Sequence, residues 1–317
     1  MHGQKTIDFH AHPVTAAFRE SMAALGIDPL AEDGFPLPEW GPQSHLEFMA
    51  TAGIDYTVLS APTPHIYNGD PEAARAAARS INLETAEICR RHLDRFGFVA
   101  CVPLPDVERA ILETVYAVDE LGALGVKVAT NSYGIYLGDP VLDPFLEELE
   151  RRHALVIIHP CRARQRPENV ITGTVAAIYE YPADTTRAVL NMMAHQVMTR
   201  FPHIKWVVPH CGSFLPYMLQ RFTGVSGILS TMGMMDPVDV QTEFQHLYFD
   251  IAGDPEPVAL NMLRMVADDS HIVFGSDFPH SPAPVILKKK QHFDGNPDYD
   301  GIRARIYSDN AQTLLQR

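Results

Sequence analysis

Short apolar runs alternate along the chain with longer stretches whose apolar positions recur at helical spacing. Eight runs, rich in β-branched and aromatic residues, stop at proline, glycine or a polar side chain: Thr6–Pro13, Tyr56–Ser60, Phe96–Val102, Gly125–Ala129, Ala154–Pro160, Lys205–His210, Leu247–Ile251 and His271–Gly275. Such runs predict strands. The intervening sequence predicts helices over Ala16–Leu25, Ser44–Ala52, Pro71–His92, Val107–Leu121, Asp143–Arg152 and Thr185–Arg200. Strand and helix in this alternation predict a (β/α)8 TIM barrel, distorted by an insertion, as one domain over residues 1–317. A doubly wound sheet is the rival. The barrel is preferred because the notable polar residues close strands one, five, six and eight, and only a closed barrel gathers those ends around one mouth.

The alternation breaks between residues 13 and 43, where Pro29, Pro36, Pro38 and Pro42 forbid a long helix past Gly26. Long loops inside a compact domain are usually functional. This one leaves directly from the first strand, so it is expected to form a lid or substrate wall, with Trp40 as an aromatic contact. The alternative is a surface insertion whose tryptophan covers part of the core.

A hydrophobic content of 46% sustains a substantial core. The formal charge of -14 argues against nucleic-acid or anionic-membrane partners, which require a cationic face, and leaves small molecules. No run reaches signal-peptide or membrane-spanning length, so a cytoplasmic location is expected. Cys89, Cys101, Cys161 and Cys211 form no C-x-x-C pair and are expected to be reduced and buried.

The chemistry centres on His10 and His12. Residues i and i+2 of a strand face the same side, so two imidazoles can converge on one point. His159 closes the fifth strand, Asp277 follows the eighth, and His210 ends the sixth. Three imidazoles and a carboxylate can hold one divalent metal and leave a position for water or substrate, with zinc the expected ion and manganese the alternative. His210 beside it can act as acid or base. No organic cofactor is required. His280, three residues past Asp277, is a candidate substrate contact or a solvated loop histidine. Of Arg162, Arg164 and Arg166, at least two are expected to face water. Cys161 and Cys211 are expected to pack rather than ligate.

The stretches IDFHAHP, GVKVATNSYGIYLGDPVLDPFLEEL, VIIHP, WVVPHCGSFLPYMLQRF, VFGSDFPHSP and IYSDNAQTLL run over nearly the whole chain. They resemble the metal-dependent amidohydrolase superfamily, within it the decarboxylase branch typified by aminocarboxymuconate semialdehyde decarboxylase and 6-methylsalicylate decarboxylase. The resemblance implies that His10, His12, His159 and Asp277 are ligands, that His210 and Asp277 are catalytic, and that Arg221 binds a substrate carboxylate. It implies a mononuclear site, so Lys127 is structural or substrate-facing rather than a metal bridge. The semialdehyde decarboxylase has an arginine between strands one and two, whereas no arginine occurs here between Arg19 and Arg75. The expected substrate is therefore a monocarboxylic phenolic acid, and the expected enzyme a nonoxidative decarboxylase, by resemblance a homodimer. The alternative is a hydrolase of a lactone or amide using the same site. A purely structural metal is disfavoured, since such sites are closed and usually thiolate-rich.

Overall fold

β-Branched and aromatic side chains suit a pleated surface buried on both faces, and the eight runs are parallel strands in the computed structural model, which describes residues 5–165, 170 and 175–316. They are β1 (Ile7–Ala11), β2 (Tyr56–Ser60), β3 (Phe96–Cys101) and β4 (Gly125–Ala129), then, after a small hairpin of β5 (Asn131–Ser132) and β6 (Ile135–Tyr136), β7 (Leu155–His159), β8 (Lys205–Val208), β9 (Leu247–Asp250) and β10 (Ile272–Val273). The order in the large sheet is β1-β2-β3-β4-β7-β8-β9-β10. The Phe9 N–H donates to the Phe274 carbonyl at 2.9 Å, and Ala11 pairs with Phe278, so the last strand returns to the first. This is a (β/α)8 barrel.

Side chains alternate between two cores. Ile7, Phe9, Val58, Val99, Leu155, Ile157, Val207 and Val273 fill the barrel, and Ala311 and Leu314 of the last helix plug its lower end. Phe98, Val126, Val156, Ile158, Trp206 and Phe249 face the surrounding helices. Between Asp8 and Ala11, three steps on β1 pass two on β2, a bulge. The extra residue turns His10 inward after Phe9, and His12 follows it.

The 13–43 segment contains more helix than expected, with a second helix, Pro29–Asp33, begun by Pro29 and capped by the Asp28 side chain. The helix expected over 185–200 starts earlier and breaks, as Glu180–Ala194 and Val197–Arg200, where Gln196 is left-handed. The hairpin was not anticipated. Its two-residue turn takes positive φ at Tyr133 and Gly134, a geometry that glycine tolerates freely. No helix among the described residues is long and apolar enough to cross a membrane.

Candidate metal centre

The ring nitrogens of His10, His12 and His159 lie within 4.8 Å of one another at the mouth of the barrel, all three side chains buried. Each ring is held by its Nδ1. That of His10 donates to Asp250 Oδ2 at 2.8 Å, that of His12 to the Ser60 carbonyl at 3.1 Å, and that of His159 to the Pro160 carbonyl at 3.0 Å. A proton fixed on Nδ1 leaves the Nε2 lone pair free. The Nε2 atoms of His10 and His12 are buried without a hydrogen-bond partner. Buried polar atoms are seldom left this way, and the arrangement fits a bound cation.

Asp277 supplies the carboxylate. Its Oδ1 lies 3.4 Å from His12 Nε2 and 3.7 Å from His10 Nε2, while Ser281 Oγ donates to Oδ2 at 2.9 Å. Backbone bonds stitch this segment to β1: the Asp277 N–H donates to the His10 carbonyl at 2.7 Å, and the His12 N–H to the Phe278 carbonyl at 2.8 Å. The pairing that closes the barrel thus brings carboxylate and imidazoles together.

His210 lies in a stretch of left-handed backbone, with φ of 58, 54, 74 and 57° at His210, Cys211, Gly212 and Ser213. Non-glycine residues there are strained by about 1–2 kcal/mol each, and such strain gathers at functional sites. The His210 ring lies 5.1 Å from that of His10, centre to centre. Its backbone N–H donates to Asp250 Oδ1 at 3.0 Å. Asp250, fully buried at the end of β9, therefore holds both histidines, and also accepts the Ala252 N–H at 3.0 Å. Sequence reading missed it. Its signal was an acid closing the seventh barrel strand, as His159 closes the fifth.

Burial and charge sort the imidazoles. Burial opposes a proton on His10, but the Asp250 carboxylate outweighs it and raises the group to about 9. Ligation of a metal there must expel a proton. Burial and the neighbouring histidines hold His159 well below the usual range, and burial lowers His12. Burial, then the charge of His10, brings His210 down to about 4, and burial brings His280 down to about 3. Asp277 is held below the usual carboxylate range by the histidines around it, against the effect of burial.

The site opens into a cavity of about 350 Å³, lined by Phe35, Pro182, Phe214 and Ala259 on apolar walls and by Tyr181 and Thr63 near His159. His280 lines it too, its ring 5.2 Å from His12 and 5.6 Å from Phe35. A wider hollow of about 1130 Å³ lies on the outer surface against the helix Ala283–Gly295, away from these histidines.

Two expected contacts do not reach the cavity. Trp40 donates its indole N–H to His45 Nδ1 at 3.0 Å and packs against the core, so it is the covering tryptophan of the alternative reading. Arg221 is exposed on the helix Leu215–Thr231. At 1.5 Å per residue it lies about 10 Å further along the axis than Phe214, which does line the cavity. Of the insertion, Phe35 is the aromatic that forms the wall. Lys127 is buried, its Nζ 3.4 Å from the Pro62 carbonyl, and burial lowers its pKa. Arg162 clasps the carbonyls of Ala31 and Glu32, and exposed Arg164 stacks on Tyr133 at 3.9 Å. Arg166 lies outside the described residues. Cys161 and Cys211 are buried free thiols.

Gly275 shows how tightly the ligands are supported. A Cβ there would lie 2.7 Å from the Cβ of His10 and 3.2 Å from that of Asp250. Gly275→Ala is expected to destabilise the fold by about 1–3 kcal/mol and to lower metal occupancy, read by thermal melting and metal analysis. Unchanged values in both would mean that β10 relaxes away from β1.

A barrel whose mouth gathers three oriented imidazoles and a carboxylate defines a metal-dependent barrel enzyme. The chain belongs to the amidohydrolase family, whose model matches residues 7–317. It is 32% identical over 322 residues to the 6-methylsalicylic acid decarboxylase of Aspergillus aculeatus, covering 98% of this chain and 96% of the relative. The crystal structure of an amidohydrolase II is similar at a TM-score of 0.91 and 31% identity, covering 99% of this chain and 100% of the other. A dihydroxybenzoic acid decarboxylase from Polaromonas sp., solved with bound manganese and the inhibitor 2-nitroresorcinol, shares the fold at a TM-score of 0.81 and 21% identity, over 98% of this chain and 97% of that one.

Proposed function

We propose that the chain is a metal-dependent, nonoxidative decarboxylase of a small aromatic carboxylic acid of the hydroxybenzoate or 6-methylsalicylate type, working as a single barrel domain. The observation that carries this reading is the convergence of His10, His12, His159 and Asp277 on one side of a cavity of about 350 Å³, which has room for a substituted benzene ring. The identity with a 6-methylsalicylic acid decarboxylase over nearly the full length favours a lyase over a hydrolase.

His10, His12, His159 and Asp277 would hold one divalent ion, zinc or manganese, which when bound anchors and polarises the acid group. Phe35 and Phe214 hold the ring and exclude water. His280 contacts the substrate beside Asp277. A proton adds to the ring carbon that bears the carboxylate, delivered by one of two groups facing the cavity, Asp277 or His210. The bond from that carbon to the carboxylate then breaks, its electron pair restores the aromatic ring, and CO2 leaves. The balance is one acid anion and one proton in, one arene and one CO2 out.

The helix Leu215–Thr231 buries only Leu215 and Ser226 and exposes Tyr217, Val225 and Ile228. Such a face supports association with a second copy, and Arg221 then serves the neighbouring cavity rather than its own. Four unpaired thiols support a reducing, cytoplasmic setting.

The test is CO2 release and product mass from a panel of hydroxybenzoates, with 6-methylsalicylate included, on metal-analysed protein before and after chelation. Turnover is expected to vanish on chelation and to return with one equivalent of zinc or manganese. Hydrolysis of lactones with no CO2 from any acid would overturn the lyase reading and leave the metal site standing.

A further inference from the structure

Outside the cavity, the end of β7 is tied to a buried carboxylate that the reaction above does not use. Asp184, fully buried, lies in the helix Glu180–Ala194. Its Oδ1 accepts from the Tyr136 hydroxyl at 2.5 Å and from Arg187 Nη1 at 2.7 Å. Its Oδ2 accepts from Asn131 Nδ2 at 2.9 Å and from the Thr130 hydroxyl. Thr130 is also fully buried and follows β4, where its backbone N–H donates to the His159 carbonyl at 3.0 Å and its carbonyl accepts the Leu137 N–H at 3.1 Å. Its side-chain oxygen in turn accepts the Cys161 N–H at 3.1 Å.

The end groups set the direction of every bond in this chain. A carboxylate and a carbonyl only accept, and a backbone N–H only donates. The single hydroxyl proton of Thr130 goes to the Asp184 carboxylate rather than to the Cys161 sulfur, which is 3.8 Å away. The Cys161 N–H belongs to the same peptide group as the Pro160 carbonyl, and that carbonyl accepts the Nδ1–H of His159 at 3.0 Å. Asp184, the Thr130 hydroxyl, the Pro160–Cys161 peptide and His159 Nδ1 therefore form one line of hydrogen bonds that all run the same way. Bonds in such a line polarise one another. The Asp184 charge makes the Thr130 oxygen a better acceptor, which pushes electron density through the peptide onto the Pro160 oxygen and tightens its hold on His159.

We propose that Asp184 is a positioning residue for His159, acting through Thr130 and the Pro160–Cys161 peptide to keep the proton on Nδ1 and to strengthen Nε2 as a metal ligand. His10 has the same support from Asp250 by direct contact. The inference rests on the metal-site reading and deepens it by giving a second ligand its own carboxylate.

The experiment uses the zinc-loaded enzyme. Thr130→Val keeps the shape and removes the hydroxyl, Thr130→Ser keeps the hydroxyl, and Asp184→Asn removes the charge. Zinc affinity is read by chelator competition, and the imidazole N–H protons by nitrogen-edited NMR. Thr130→Val and Asp184→Asn are each expected to weaken zinc binding by about tenfold, the lower end of the loss that follows removal of a ligand's outer partner. Both should move the His159 Nδ1–H signal upfield and leave those of His10 and His12 in place. Thr130→Ser should restore affinity and signal together. The double variant, Thr130→Val with Asp184→Asn, should bind zinc no more weakly than Thr130→Val alone, because the carboxylate acts through the hydroxyl. Thermal stability falls with Asp184→Asn in either background, since Tyr136 and Arg187 lose a charged partner.

Additive losses of affinity in the double variant overturn the proposal, and so does a His159 signal that stays in place in Thr130→Val. A shift common to all three histidines overturns it too, as the mark of a merely structural role. If the protein binds neither zinc nor manganese, the metal-site reading falls by itself, and the His159 Nδ1–H signal of the metal-free protein still decides whether Asp184 acts on that ring.

Discussion

Replacing Asp277 by asparagine is expected to lower CO2 release on the order of a thousandfold or more, as removal of one member of a catalytic unit does, while the barrel stays folded. The side chain sits where three effects meet. Its Oδ1 faces His12 Nε2 at 3.4 Å and His10 Nε2 at 3.7 Å, Ser281 fixes its other oxygen, and it faces the same cavity as His210. Asparagine keeps the shape but loses the negative charge that balances a divalent cation, and its amide cannot take up a proton and pass it on. Metal content and thermal melting measured beside the rate separate the roles. A folded variant that keeps its metal and loses turnover assigns Asp277 to proton delivery, and loss of metal assigns it first to ligation. Activity within tenfold of wild type at full metal occupancy would remove Asp277 from both roles and leave His210 as the group to test.

The fold was legible because a barrel repeats one simple signal. Each strand is buried on both faces, so it reads as an unbroken apolar run, and eight such runs with helices between them have few other ways to close. Much of the site was legible for the same reason. His159 and Asp277 stand where an apolar run stops, and in a barrel those positions share one mouth. The β1 bulge was invisible, since it depends on how β1 pairs with β2 and not on composition.

Side chains that depend on tertiary partners could not be read. Trp40 lies in the segment that walls the cavity, but its indole N–H finds a partner in His45 and its ring finds the core, whereas Phe35, with no polar group to satisfy, lines the cavity. Arg221 has the spacing of a substrate-binding arginine, yet the helix that starts at the cavity carries it outward. Asp33 gave no sign at all. Acidic residues in a proline-rich loop usually face water, and only the fold shows this one buried, at the end of the short helix Pro29–Asp33.

Asp250, also unmarked in the sequence, carries the second large expected effect. Asp250→Asn should weaken metal affinity by about 10–100-fold, the usual consequence of losing the partner that orients a ligating histidine. The carboxylate takes the Nδ1 proton of His10 on one oxygen and the His210 and Ala252 N–H groups on the other, all in a fully buried setting. Asparagine can preserve one of these sides. If its oxygen stays toward the two backbone donors, its NH2 meets the Nδ1–H of His10 and forces the opposite tautomer, which puts a proton on the nitrogen that should ligate. If the amide flips, the His210 and Ala252 N–H groups lose their acceptor, and the strained backbone at His210 loses its anchor. The two cases differ in measurement. The first lowers metal affinity and leaves turnover per bound metal close to wild type. The second retains metal and lowers turnover, with rate no longer proportional to occupancy. A variant that matches wild type in affinity, turnover and thermal stability would show that His10 is oriented by packing against Gly275 and β10, with no need of the carboxylate.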